Sequence, residues 1–452
     1  MSYEIANSLE ALWDQKFGLN NSLEDDTINI EVNTGEDDNE EESAAASVVE
    51  VQEADIEVQD DLDTAEELED TIDALESLYR SIESAGEDGM SPETAAMAET
   101  AMAVIVGDEI TEQIMPSNES FVDDRKASTV NSLEAVGAGI KAAAKRFLEL
   151  LMKAWASVKN FMMNIFSSAG RIKLRAQRIM KKAGDVKQSD AKSDAKVTTS
   201  AAKTLHVNGK TSASATEIIK TWEEGVSLAR TYNLDSIDSQ AGKTIPLLTI
   251  FASDSKKDGY IKKVADAAEH PAAAKLTIQV KGSDTEYRSN YLFNNNAVVV
   301  KKFEKEPGLD TLGAQLKGSI PVIKKTGDAK VEDKELPLLT MQQVQVVAKG
   351  VADLMDAIQK KSNAYKSEKA YAKESKNSLN KMAKVEETKE AKAAAKALAS
   401  FNYAVIASET GFDKYNITVS SAMLNYAAAS MKVHNGGKSD AADKKADEST
   451  EA

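Results

Sequence analysis

The sequence predicts a mostly α-helical chain built around an α+β middle domain, and three observations predict it. Apolar residues recur in steps of three and four over long stretches, the spacing of one face of a helix. Aromatic residues make up 5% of the chain and there are 7 prolines in 452 residues, while Ala, Lys and Glu abound, a composition that favours helix over an all-β architecture. The segments rich in β-branched residues gather in the middle of the chain, where strands are expected.

Taken in order, residues 1–60 hold few large apolar side chains after Trp13 and Phe17 and contain the run Glu36-Asp37-Asp38-Asn39-Glu40-Glu41-Glu42. Self-repulsion and a thin supply of apolar surface predict disorder there. From Leu62, the series Ala65, Leu68, Ile72, Leu75, Tyr79 and Ile82 predicts an acidic amphipathic helix over about 62–85. Ser91-Pro92-Glu93 is a helix start signal, Pro suiting the first turn, and predicts a second helix over about 92–114. Met115 to Ser120 breaks it, and Phe121 to Asn131 reads as an exposed connector.

Residues 135–184 predict a long basic amphipathic helix. Ala144, Leu148, Leu151, Trp155, Val158, Met162, Ile165, Ala169, Ile172, Ala176 and Ile179 lie on one stripe. Further apolar residues beside it, Phe147, Leu150, Met152, Phe161, Met163 and Phe166, widen the face beyond a two-stranded coiled-coil seam. The stretch has one acid, Glu149, against Lys141, Lys145, Arg146, Lys153, Lys159, Arg171, Lys173, Arg175, Arg178, Lys181 and Lys182. Three readings compete for it: a core helix with a solvated charged face, a helix on an anionic membrane, and a helix on nucleic acid. A membrane span does not fit, because the longest uncharged run, Asn160 to Gly170, falls far short of the roughly 20 residues required.

Residues 185–196 read as a linker and 197–336 as the α+β domain. Thr204–Val207, Leu247–Phe251, Leu276–Val280, Ala297–Phe303 and Ile320–Ile323 are its candidate strands, Asn208-Gly209 a turn, and Ser214 with Glu217 a capping box opening a helix to about Tyr232. Residues 337–435 predict C-terminal helical hairpins. One helix opens on a Thr340/Gln343 capping box, the stretch from Lys360 to Lys381 has few apolar anchors, and two more helices, about 385–408 and 418–433, are separated by a turn at Gly411. Residues 436–452 are a charged, low-complexity tail expected to be disordered.

The net charge of −19 conceals two opposed parts. Residues 1–134 carry 38 acids and 4 bases, a net of −34, and residues 135–452 a net of +15. Such asymmetry points to a polyanionic partner for the basic part, or to an acidic part that masks it.

Little catalytic chemistry is legible. There is no Cys, so thiolate nucleophiles and Cys-ligated metals are excluded. His206, His270 and His434 are not at ligand spacing and read as surface or strand residues, so no metal site is expected. Gly242-Lys243-Thr244 and Gly437-Lys438-Ser439 lack the first Gly of a phosphate loop, Gly137-Ala138-Gly139 lacks the third Gly of a dinucleotide fingerprint, and no nucleophile elbow occurs. The expectation is a protein that is not an enzyme and takes no cofactor.

Over roughly residues 65–182 the chain resembles the internal head proteins of large tailed bacteriophages, packed in the capsid with the DNA and trimmed by the phage's prohead protease. The resemblance is carried by Ala74-Leu75-Glu76-Ser77-Leu78-Tyr79, Gly89-Met90-Ser91-Pro92-Glu93-Thr94-Ala95-Ala96, Met115-Pro116-Ser117-Asn118-Glu119-Ser120-Phe121, Asn131-Ser132-Leu133-Glu134, and the basic helix with Trp155 and Phe161. It implies a virion structural protein inside the capsid, assembled in the host cytoplasm, with residues 1–134 as an acidic propeptide. Proteases of this group cut after a small residue, any residue, then Glu, which marks Glu119 and Glu134 as the positions of cleavage. The implied partners are phage genomic DNA, bound without sequence preference through the eleven bases of the helix, the prohead protease, and other capsid or core proteins. The alternatives are a membrane-active protein ejected into the host, with anionic lipid as partner, and a core scaffold.

Overall fold

In the computed structural model, the described residues are 74–108, 118–186, 195–234, 237–253, 259–302, 307–327, 335–361 and 389–435, with single positions or short pieces between 51 and 72, 111 and 116, 329 and 331, and 373 and 378. The acidic run before Val51, most of the polar stretch after Lys361 and the tail after Asn435 lie outside them. The chain divides into two compact units, residues 1–31 with 56–157, and residues 32–55 with 158–452. The described residues are mostly helical, with two small antiparallel sheets among them.

In the first unit, helix α1 covers 74–83 and buries Leu75, Leu78 and Ile82. Helix α2, Pro92–Val106, starts where Ser91 accepts the Thr94 N–H at 3.2 Å, ends at Gly107 with φ 95°, and buries Ala95, Ala98, Met102 and Val106. Helix α3 is Asn118–Asp123 and α4 is Arg125–Asp185, 61 residues long. The loop before α2 is tied to the start of α4. Met90 N–H donates to Thr129 Oγ1 at 2.8 Å, and a Cβ on Gly89, whose φ is 71°, would stand 2.7 Å from the Arg125 carbonyl.

The connector expected over Phe121 to Asn131 is therefore helical, and Phe121 is buried. Asp124 Oδ1 accepts the Ala127 N–H at 3.0 Å, which caps α4 ten residues ahead of the predicted start. Ser128, Thr129 and Ser132 are buried because each hydroxyl donates to a helix carbonyl, of Ser120, Arg125 and Ser128. That local bonding lets a polar sequence pack as helix.

The second unit begins at Val158 within α4. Its further helices are α5 Ala215–Ala229, α6 Ile237–Ser253, α7 Tyr260–Ala268, α8 Leu312–Ser319, α9 Met341–Lys360 and α10 Lys389–His434. Strands β1 Lys196–Thr198 and β6 Glu335–Pro337 pair with each other, Val197 opposite Leu336. Strands β2 Ile278–Gln279, β3 Glu286–Arg288, β4 Asn296–Lys301 and β5 Val322–Lys325 form the second sheet in that order. In its register Tyr287 faces Val300 and Val298 faces Ile323, and the whole of Ala297 to Val300 is buried.

Helix α10 is the centre of this unit, touching α5, α6, α8, α9, β1 and β5. Its interior is buried on all sides, Phe401, Val405, Phe412, Ile417, Met423 and Tyr426 among others, which removes the amphipathic signature of a surface helix. It also corrects the predicted hairpin. Gly411 lies within one continuous helix, and a Cβ there would sit 3.3 Å from Ile323, so the glycine serves close approach of β5 rather than a turn.

Three further expectations are corrected. Leu247–Phe251 is helix, part of α6, because Ala241, Ile245, Leu248 and Ala252 are buried at steps of four, three and four, a packing that overrides β propensity. Thr204–Val207 is a turn with one isolated bridge, Val207 to Lys210. Ser214 makes no side-chain cap; Ser212 takes that place, accepting the Ser214 N–H and donating to the Glu217 carboxylate. The Thr340/Gln343 capping box is present. The three histidines are interior. His206, His270 and His434 are each under 7% exposed, with ring nitrogens bonded to Gly209 N–H, Ala272 N–H and the Leu339 carbonyl.

Two predictions follow from this packing. At Gly350 a Cβ would meet the Trp222 ring at 2.5 Å, so Gly350→Ala is expected to lower the unfolding free energy in urea by about 1–3 kcal/mol, the cost of an overpacked core. Burial pushes the His270 imidazole down to about 4. Between the unfolded value of about 6.5 and that folded value, only the unfolded chain binds the proton, so stability falls with pH across this window by at most roughly 3 kcal/mol and levels off below it. His270→Gln is expected to shrink the loss between pH 7 and 4.5 measured by urea titration; an unchanged loss would place the acid sensitivity elsewhere.

Candidate anion-binding helix

The eleven bases predicted as one set fall into different environments along α4. Of the four that precede Val158, the side chains of Lys141, Lys145 and Arg146 lie outside the described residues, and Lys153 is exposed. Lys159, in the second unit, is also outside them.

From Phe161 onward the helix is held on two flanks. Helix α9 runs antiparallel beside it: Gly170 approaches Gln359, Lys173 Nζ bonds Asp356 Oδ1 at 2.6 Å, and Gly184 approaches Gln345. As the residue number rises on one helix it falls on the other in step. On the other flank Arg175, 5% exposed, donates from Nη1 to Asn425 Oδ1 of α10 at 2.7 Å. Between the flanks, Met162, Ile165, Ala169, Ile172, Ala176 and Ile179 are buried. Two partner helices account for the breadth of the apolar face.

Arg175 is thus engaged inside the fold, and Lys173, half-buried, is paired with Asp356 at the edge of α9. Hydrogen bonds from Lys173 and Lys360 hold the Asp356 carboxyl below the usual carboxylate range. These partners leave no local sign in the sequence, since Asp356 and Asn425 stand 183 and 250 residues away. What remains outward is a ridge. Arg178, Lys181 and Lys182 are exposed, Arg171 is half-buried with Nη2 donating to Ser168 Oγ at 3.3 Å, and Leu174 lies among them at 44% exposure. From Val158 to Gly184 the helix has no acid. Asp185 ends α4 one turn after Lys181, and the ridge keeps an excess of positive charge that attracts phosphate or carboxylate by Coulomb force and salt-dependent counterion release.

The two predicted cleavage positions also differ. Glu119 is the second residue of the six-residue α3. Glu134 is exposed, but it sits within α4 two residues after Ser132, which is fully buried and bonded to the Ser128 carbonyl at 2.9 Å. Among the described residues, no helix is long and apolar enough to cross a membrane.

No curated protein and no solved structure matches the chain. A family model does, over residues 30–429, a span that takes in both the acidic and the basic part and the whole of α2 through α9. With nearly nine-tenths of its length inside that match, the chain belongs to the phiKZ-like phage internal head proteins.

Proposed function

We propose that this internal head protein is made as a precursor whose acidic leader is removed by the prohead protease, leaving a basic product that lies against the packaged genome. The observation that carries the proposal is the reversal of charge at α4, from −34 over residues 1–134 to +15 beyond. While joined, the leader raises the energy of bringing the chain to a polyanion; once it is gone, the exposed bases of α4 contact DNA phosphate. Lys153, Arg171, Arg178, Lys181 and Lys182 carry this contact, with Lys141, Lys145, Arg146 and Lys159 expected to join them. Phosphate contacts carry no sequence information, so binding is non-specific. Capsid or core proteins are the partners during assembly in the host cytoplasm.

Proteases bind substrate in extended form, so a cut within a helix requires local opening. A cut after Glu119 opens one short helix; a cut after Glu134 opens α4 beside a buried serine. Cleavage after Glu119 therefore precedes or replaces cleavage after Glu134.

Mass spectrometry of protein from purified particles is expected to find a new N-terminus at Ser120 or Ala135 and no peptides from residues 1–116; leader peptides at full abundance would remove the proposal. For the processed protein, Lys181→Ala is expected to lower the slope of log K against log salt on duplex DNA by about 1 and to leave stability within about 0.5 kcal/mol. Arg175→Ala is expected to do the reverse, costing on the order of 2–3 kcal/mol by leaving Asn425 unpaired and a void beside it while the slope is kept. Flotation with anionic vesicles in place of a DNA shift would favour membrane action instead.

A further inference from the structure

Among the described residues, the first unit leaves one face of α2 to solvent. Met97 and Val104 are 74% and 83% exposed, two turns apart, with exposed Thr100 and half-buried Ala101 between them on the same face. The opposite face of the helix is buried. Of the exposed large apolar residues described in this unit, Met97, Val104, Val122 and Val130, only the first two share a helix. Glu93 and Asp108, both exposed, stand at the two ends of the strip. The same unit takes in residues 1–31, which lie outside the described residues, and their sequence holds a face of its own. Ile5, Leu9, Leu12 and Lys16 recur in steps of four, three and four, with Trp13 and Phe17 beside them, which on a helix makes one apolar face with a single cation set into it. Glu4, Glu10 and Asp14 fall outside that face, and Lys16 is the only base before Arg80.

We propose that residues 5–17 form a helix that docks on the Met97–Val104 strip of the same chain, Leu9, Leu12 and Trp13 covering the two apolar residues and Lys16 meeting an acid at the end of the strip. Charge selects this occupant. A face that is apolar with one cation in it fits a surface that is apolar with acid at its edge, which describes the strip on α2. Nucleic acid and anionic lipid, by contrast, are repelled by Glu4, Glu10, Asp14 and the acids that follow them. Length agrees as well: a helix over 5–17 is about 20 Å long, and the 15 residues of α2 span about 22 Å. Because an acid stands at each end of the strip, Lys16 finds a counter-charge whichever way the segment runs. Being on the same chain, the segment is present at an effective concentration on the order of millimolar, which favours it over a second copy. Covering the strip leaves charge alone at that surface of the acidic part, so chains carrying it repel one another instead of meeting through an apolar patch.

Limited trypsin digestion of the full-length protein tests this. Because Lys16 is the first base and Arg80 the next, release of residues 1–16 reads the opening of this segment alone, and its rate follows the population of the undocked form. Met97→Gln with Val104→Thr, two solvent-facing changes, is expected to speed that release by roughly tenfold with the helical circular dichroism signal kept. Ile5→Gln with Leu9→Gln, which leaves the residues around Lys16 as they are, is expected to do the same, and all four substitutions together to add little more. Equal rates in the wild type and both double variants overturn the proposal. Protection of Lys16 that grows with protein concentration overturns it too, by making the contact one between copies. Should the substitutions disturb α2, the lack of Cys in the chain opens a second measurement. Leu9→Cys with Ala101→Cys is expected to be joined within one chain by a short bismaleimide; joining only between chains, or none, counts against docking. Neither readout involves DNA or the protease, so a failure of the packaging role leaves this contact standing.

Discussion

The circumference of α4 is the constraint on which the second unit depends. One helix has to bury a continuous apolar stripe, accept neighbours on two flanks and still carry a high density of positive charge. A face as wide as this one leaves about a third of the surface for solvent, and the unit assigns that third to Arg171, Leu174, Arg178 and Lys181. The cations that fall on the flanks are absorbed by partners, Lys173 by Asp356 and Arg175 by Asn425. Glycine at positions 170 and 184 lets α9 approach. The packing against α9 and α10 fixes which bases are bonded within the unit, Lys173 and Arg175 among them.

What the sequence made legible was whatever depends on neighbours within two turns. The stripe from Met162 to Ile179 is buried throughout, the Ser91 cap and the Thr340/Gln343 box are in place, and strands occur within three of the five predicted segments. What could not be read depends on distant packing. Gly411 resembles a turn until Ile323 is seen against it, and Leu247–Phe251 resembles a strand until its burial on α6 shows a helical period. The histidines look superficial because their bonding partners are backbone groups that leave no trace in composition. The site was legible as a helix and not as a surface: eleven bases were grouped by charge, and tertiary contacts separate Lys173 and Arg175 from the rest.

Electrostatics of this kind works through quantity more than placement. The bases on an exposed ridge gain little from any one partner in water, since exposed ion pairs contribute at most about 1 kcal/mol each. Against a polymer of phosphates, the partner proposed above, their effect would accumulate, since each neutralised charge releases a counterion. The same reasoning applies to residues 1–134, whose 38 acids act as a field and need no fold to do so.

The position of the proposed cleavage bears on how α4 begins. The helix is capped by Asp124, whose carboxylate accepts the Ala127 N–H and sits favourably at the positive end of the helix dipole. A chain starting at Ser120 keeps that cap, together with Phe121, which is buried, and the Ser128 bond to the Ser120 carbonyl. A chain starting at Ala135 has lost all three and places a protonated amino terminus directly at the first helical turn, where the dipole disfavours it. Its opening residues, Ala135, Val136 and Gly137, offer no side chain able to cap, so the first turn frays back towards Ile140. Cutting after Glu119 thus conserves a defined helix start at the cost of retaining Asp123, Asp124 and Glu134, while cutting after Glu134 sheds the last acids of the leader and gives up the cap.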